Sequence, residues 1–157
     1  MKWHDPFNKE EFHIANSYVA DNYHTFYRFS EDEIAHVRGA TADVAYLATH
    51  SSGIQLQFVT DSRFIRVRCK NCDSFSMKNM SFPGMCGFDL YYYEPKFNKW
   101  MFNRSTVFTN FIDDKKYIAE VGVFQEKKER KIILNFPLYN GVMDLAIELE
   151  DGCIVRP

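Results

Sequence analysis

The sequence lacks an excess of charge of either sign. Nineteen Lys and Arg stand against 21 Asp and Glu, a formal net charge of −2 with a pI near 6.2. That balance leaves no basic footprint for nucleic acid and no polybasic membrane surface. Long apolar runs are missing too, and none approaches the ~18 residues that a spanning helix needs. The start, Met1-Lys2-Trp3-His4-Asp5-Pro6, is polar and proline-broken, without the apolar core of an export signal. The chain therefore reads as cytoplasmic, with its four cysteines as thiols. Glycine is scarce, and the seven present form no phosphate loop or dinucleotide fingerprint. No linker, repeat or low-complexity tract divides the 157 residues, a length that suits one domain.

The usual hydrolytic machinery is absent as well. There is no G-x-S-x-G elbow. Gly87-Phe88-Asp89-Leu90 superficially resembles a Gly-Asp-Ser-Leu block but carries no serine. The five histidines (His4, His13, His24, His36 and His50) all lie in the weakly periodic first third, with no local partner motif. Cys69-Lys70-Asn71-Cys72 has the spacing of a zinc knuckle or redox pair. No second CxxC or HxxxH follows, and Cys69 falls on the inward register of its strand, where a small buried residue belongs. No catalytic residue, metal site or cofactor is assigned.

What the chain has in excess is aromatic residues. Its 26 rings (15 Phe, 9 Tyr, 2 Trp) make up 17% of the residues, a bias that favours strands. Ile54, Leu56 and Phe58 alternate with Gln55 and Gln57, and Thr60-Asp61-Ser62 supplies turn chemistry. Ile65, Val67 and Cys69 then alternate with Arg66, Arg68 and Lys70, so the two strands read as a pair joined by a tight turn. The basic stripe is expected to pair across strands with Glu148 or Glu150. Further strands are expected at Phe88–Tyr93, Trp100–Phe102, Tyr117–Phe124, Ile132–Phe136 and Met143–Leu149. Asn140-Gly141, between the last two, is a strong hairpin signal. Two short helices are expected, one after a Ser30–Glu33 capping box and stopped by Gly39, the other over Asp43–His50. About seven short strands with few helices argue an all-β, antiparallel sandwich or barrel.

Two segments carry more than generic β-sequence. Gly87-Phe88-Asp89-Leu90-Tyr91 resembles the G-x-D-L-Y motif of a small N-terminal domain found in SGNH-type (GDSL-like) ester hydrolases. Phe136-Pro137-Leu138-Tyr139-Asn140-Gly141-Val142 is similar to that domain's second signature, P-L-Y-N-G-V. Gly53–Ser62, Asn79-Met80-Ser81 and Tyr27-Arg28 are similar to further family segments, in the right order. Phe136 stands where the family commonly has leucine, and Cys69/Cys72 has no counterpart there.

The resemblance implies a jelly-roll-like β-sandwich over residues 1–157, with about 153–157 beginning a junction to a catalytic domain absent from this chain. It implies a non-catalytic accessory role beside an SGNH-type hydrolase domain of the same polypeptide, positioning or shaping that domain's site. The chain alone is then no enzyme, although the parent protein is an ester hydrolase. The alternative is a stand-alone carbohydrate-binding sandwich. Partners in these readings are the hydrolase domain, carbohydrate or acylated substrate; oligomerisation is left open. The family-motif residues carried over, as structural or interface positions, are Gly87, Asp89, Leu90, Tyr91, Pro137, Leu138, Tyr139, Asn140 and Gly141. By register, Asp89, Tyr91 and Tyr93 share a face, so Asp89 is expected to be at least half buried and hydrogen-bonded. Tyr91 and Tyr93 on that face suit either a ligand platform or a domain interface. Gly87 admits a bulge or close approach, and Pro137 marks an edge strand or a bulge.

Overall fold

The computed structural model describes residues 1–20, 24–74 and 78–157. Two antiparallel sheets face each other, as the alternating patterns require. Strand β1 (Lys2–His4), β4 (Phe64–Asn71), β7 (Val107–Phe111), β8 (Lys116–Val123) and β10 (Val142–Leu149) form sheet A. Their order in it is β1-β10-β4-β8-β7. Sheet B is built from β3 (Gln55–Thr60), β5 (Asp89–Glu94), β6 (Lys99–Ser105), β9 (Arg130–Asn135) and β11 (Val155–Arg156), in the order β11-β3-β9-β5-β6. The short β2 (His13–Ala15) also pairs with β3, ahead of β11 on the edge that β9 leaves free. Three helices are described: α1 (Glu31–Ala40), α2 (Ala42–Ala48) and α3 (Phe82–Cys86).

The period-2 residues meet between the sheets. Ile65, Val67 and Cys69 of β4 and Tyr117, Ala119 and Val121 of β8 are all fully buried. Leu56, Leu90, Ile132 and Leu134 face them from sheet B, each 1% exposed or less. Outward residues of β4 pair across strands, with Arg66 in an ion pair with Glu148 and the Arg68 guanidinium 5.0 Å from the Trp3 ring centroid. Glu150 takes Arg63 instead, at 2.8 Å.

Connectivity departs from the sequence reading at two turns. β3 and β4 are not a hairpin: one lies in each sheet, and the chain crosses the sandwich between them. Ser62, 1% exposed, holds that crossing by donating to the Phe64 carbonyl (2.7 Å) and accepting from the Glu150 amide (3.0 Å). Asn140-Gly141 likewise joins β9 in sheet B to β10 in sheet A rather than closing a hairpin. Alternation sets which face each strand buries, but two strands buried from opposite sheets alternate just as two paired strands do. True hairpins join β5 to β6 and β7 to β8.

Smaller differences follow from local chemistry. The Ser30 capping box forms as expected, with the Glu33 amide 3.3 Å from Ser30 Oγ and the Ser30 amide 2.8 Å from Glu33 Oε2. Helix α1 runs through Gly39 to Ala40, and α2 ends at Ala48, short of His50. Strands β1, β2, β7 and β11 and helix α3 were not legible, being too short or too irregular to show a period. Pro137 sits just past the end of β9, which is an interior strand and not an edge. Leu134, fully buried in the middle of sheet B, tests the core: Leu134→Ala should cost about 2–5 kcal/mol in a urea melt. The exposed Lys99→Ala should stay within about 0.5 kcal/mol of the parent.

Candidate functional site

The two signature segments meet at one end of sheet B, because β5 pairs with β9 so that Asp89 lies opposite Asn135 and Leu90 opposite Leu134. Gly87 closes α3 by donating its amide to the Pro83 carbonyl at 3.0 Å. A Cβ there would lie 2.5 Å from that same oxygen, so the position admits glycine alone. Phe88 and Leu90 point into the core, fully buried. Asp89 is partly buried and accepts from Ser105 Oγ at 2.5 Å. The only bulge in the β5–β6 pairing comes later, between Leu90 and Tyr91.

Beyond β9 the chain turns through residues 136–142 in a nest made by three loops. Phe136 is buried against Phe26 and Phe88, with ring centroids 5.2 Å from each. Asn140, 1% exposed, works like a short strand: Oδ1 accepts from the Asp73 amide (3.1 Å) and Nδ2 donates to the Asp73 carbonyl (3.0 Å). Its own carbonyl accepts from the Ser51 amide (3.2 Å), and Ser51 Oγ accepts from the Val142 amide (2.9 Å). The Gly141 carbonyl takes the Cys72 amide at 2.9 Å and Asn71 Nδ2 at 3.2 Å. A Cβ at Gly141 would come within 2.5 Å of both Cys72 Sγ and the Thr49 carbonyl. Two residues of the turn are spared this work. Leu138 and Tyr139 stand 54% and 44% exposed, although the Tyr139 amide is held 3.3 Å from the Met85 carbonyl.

Around the nest lie groups that sequence reasoning did not assign. Tyr46 donates its hydroxyl to Asp73 Oδ2 at 2.9 Å, and that bond, with burial, pushes the phenol up. The Tyr46 ring packs edge-on to His50, 5.0 Å away. His50 is buried, and burial, aided by Arg28, holds its imidazole below the usual 6.5 against the pull of Asp73. Burial also raises the Tyr27 phenol and the Cys72 thiol beside it, and lifts Cys86 to about 11. Thiols and phenols raised in this way, beside a neutral imidazole, hold their protons at neutral pH and make poor nucleophiles. The cluster is built to hold a turn. Tyr27-Arg28, His50, Cys72 and Asn140 each stand out in the sequence, but contacts between residues 27, 46, 50, 73 and 140 leave no spacing signal that brings them together.

The other expected residues fall elsewhere. Tyr91 and Tyr93 lie on the outer face of sheet B, paired across strands with Phe102 and Trp100 at 5.4 and 5.6 Å. Cys69 is buried in the core, Cys72 lines the nest, and none of the four cysteines is in a disulfide. Residues 153–157 add β11 to sheet B, with Cys153 and Val155 packed against the core. No described helix is long and apolar enough to cross a membrane.

Sheets, signatures and nest together define a β-sandwich domain whose marked turn is held from within. A family model for the G-x-D-L-Y N-terminal domain of SGNH-type esterases matches residues 1–155, and the chain belongs to that family. Among solved structures, it is similar to a protein named as a GDSL-like lipase from Bacteroides ovatus. The TM-score is 0.79 at 20% identity, over 99% of this chain and 42% of that one. It is also similar to the salicylyl-acyltransferase SsfX3 from a tetracycline biosynthetic pathway. There the TM-score is 0.67 at 13% identity, over 99% of this chain and 41% of the other. The chain thus spans less than half the length of either. No curated protein matches it.

Two outcomes test the nest. Asn140→Ala should cost about 1–3 kcal/mol, the range for leaving buried backbone groups unpaired. Leu138→Ala should stay within about 0.5 kcal/mol of the parent in the same melt. The His50 imidazole is depressed on folding, so the unfolded chain takes up the proton first as pH falls. The stability it contributes is complete above about pH 6.5 and is lost as pH drops through the lowered folded value. The fall in Tm between pH 7.5 and 5.5 should therefore be smaller in His50→Gln than in the parent.

Proposed function

We propose that this chain is the non-catalytic N-terminal accessory domain of an SGNH-type acylhydrolase, and that it positions or shapes the substrate site of the hydrolase domain that follows. The observation that carries the reading is the division of labour in the 136–142 turn. Asn140 and Gly141 are fully engaged in holding it, while Leu138 and Tyr139 are held out to solvent, unused by the core. Tyr46 of α2, 51% exposed, is tied to the turn through Asp73, and Leu47 beside it in sequence is 49% exposed. An apolar rim around a hydrogen-bonded turn suits contact with a neighbouring domain. Family membership and the large uncovered share of the similar structures support a partner domain in the same polypeptide. On this reading 1–157 is one domain, residues 153–157 open the junction, and the four unpaired cysteines favour a cytoplasmic setting.

A second role, compatible with the first, is sugar binding. It is favoured by the rings of Tyr91, Tyr93, Trp100 and Phe102, which stand on the outer face of sheet B, away from the turn.

The accessory role is tested in the full-length hydrolase with p-nitrophenyl acetate and a bulkier acyl ester. Leu138→Asp and Tyr139→Asp should lower kcat/KM about tenfold, equivalent to about 1.4 kcal/mol, with the sandwich Tm unchanged. The isolated chain should show no turnover. Unchanged kcat/KM in both variants would remove the accessory role.

A further inference from the structure

The outer face of sheet B combines two kinds of side chain in parallel rows. On β5 and β6 the rings dominate, with Trp100 44% and Phe102 54% exposed and each set edge to face against a tyrosine. On β3 and β9 three of the outward positions, Gln55, Gln57 and Asn135, carry amides knitted together. Gln57 Nε2 donates to Gln55 Oε1 at 3.0 Å, and Gln55 Nε2 to Asn135 Oδ1 at 2.9 Å. Asp89 continues this row on β5, opposite Asn135. Between Trp100, Ile133 and Gln57 lies a shallow open depression of about 380 Å³, bounded by Pro157 at the sheet edge.

The charges on this face offset each other. Lys131 and Asp89 are its two outward charged side chains on β5 and β9, and Arg156 at the edge is paired with Glu129 at 2.8 Å. A phosphate or other anion would meet Lys131 and an Arg156 already paired with Glu129. An acyl chain would bury the amide atoms that this row leaves without partners, at a cost for each. An uncharged ring with an apolar face and hydroxyl edges meets both rows. Its C–H face stacks on the indole, and its hydroxyls reach planar amides whose orientation is already fixed, which lowers the entropy cost of binding. Across four strands ~4.8 Å apart the face is long enough for several linked sugars.

We propose that the outer face of sheet B, centred on Trp100, Tyr91 and the Gln55–Gln57–Asn135 amide row, binds a neutral oligo- or polysaccharide. The site deepens the sugar-binding role and does not depend on the 136–142 turn.

Native affinity electrophoresis tests it, in gels cast with mixed-linkage β-glucan, xylan or galactomannan. The chain should migrate more slowly in at least one of them than in a plain gel. Trp100→Ala, on an exposed edge strand, should weaken that retardation about tenfold, the loss of one stacked ring. Phe97→Ala, which removes a 56% exposed ring in the β5–β6 turn, should not. Leu138→Asp should leave retardation intact, so that failure of the domain-docking role and failure of the sugar site can be told apart. Free migration in all three gels, or equal retardation of Trp100→Ala and the parent, would overturn the proposal. Free migration together with Trp100-dependent association of a separately produced hydrolase domain would instead make the face a domain interface.

Discussion

The end of the sandwich that carries both signatures depends on the carboxamide of Asn140. Wherever the chain crosses from one sheet to the other, it leaves a ladder on one side and has not yet joined one on the other. At the 136–142 crossing the missing strand is supplied by one side chain, which bonds both backbone groups of Asp73. Asparagine suits this place because its donor and acceptor lie side by side, matching a peptide unit. Aspartate would offer no donor, and leucine would leave two buried backbone groups unpaired. Gly141 then lets Thr49 and Cys72 close on the turn, which a methyl group would hold apart.

That anchoring decides what is left over for function. Because Asn140, Gly141 and Phe136 hold the turn from inside, Leu138 and Tyr139 face solvent without being needed by the core. The same separation recurs in sheet B. Its inner face (Leu56, Leu90, Ile132, Leu134) builds the sandwich, and its outer face carries rings and amides the sandwich does not require. The domain therefore has two surfaces, on different elements, that its core does not use.

The titratable groups argue the same way. Burial holds Cys69, Cys72, Cys86 and Tyr117 in their protonated forms and His50 in its neutral form. Thiols and phenols held protonated in this way are poor nucleophiles at neutral pH.

Much of this was legible from residue order. The period-2 runs of β3, β4, β5 and β10, the capping box at Ser30 and the inward register of Cys69 are local properties, set within a few residues. The cross-strand partner of Arg66 was legible too, since a stripe of one sign on a half-exposed strand demands the opposite sign nearby. What tertiary structure alone decided was which strands are neighbours. Asn140-Gly141 has the composition of a hairpin turn, yet the strands it joins lie in opposite sheets. No local energy distinguishes the two outcomes; the difference lies in which distant strand offers a ladder. For β9 these are β3 and β5, and for β10 they are β1 and β4. The nest of Ser51, Asp73, Cys86 and Asn140, like the rows of rings and amides on sheet B, exists only once those long-range pairings are made.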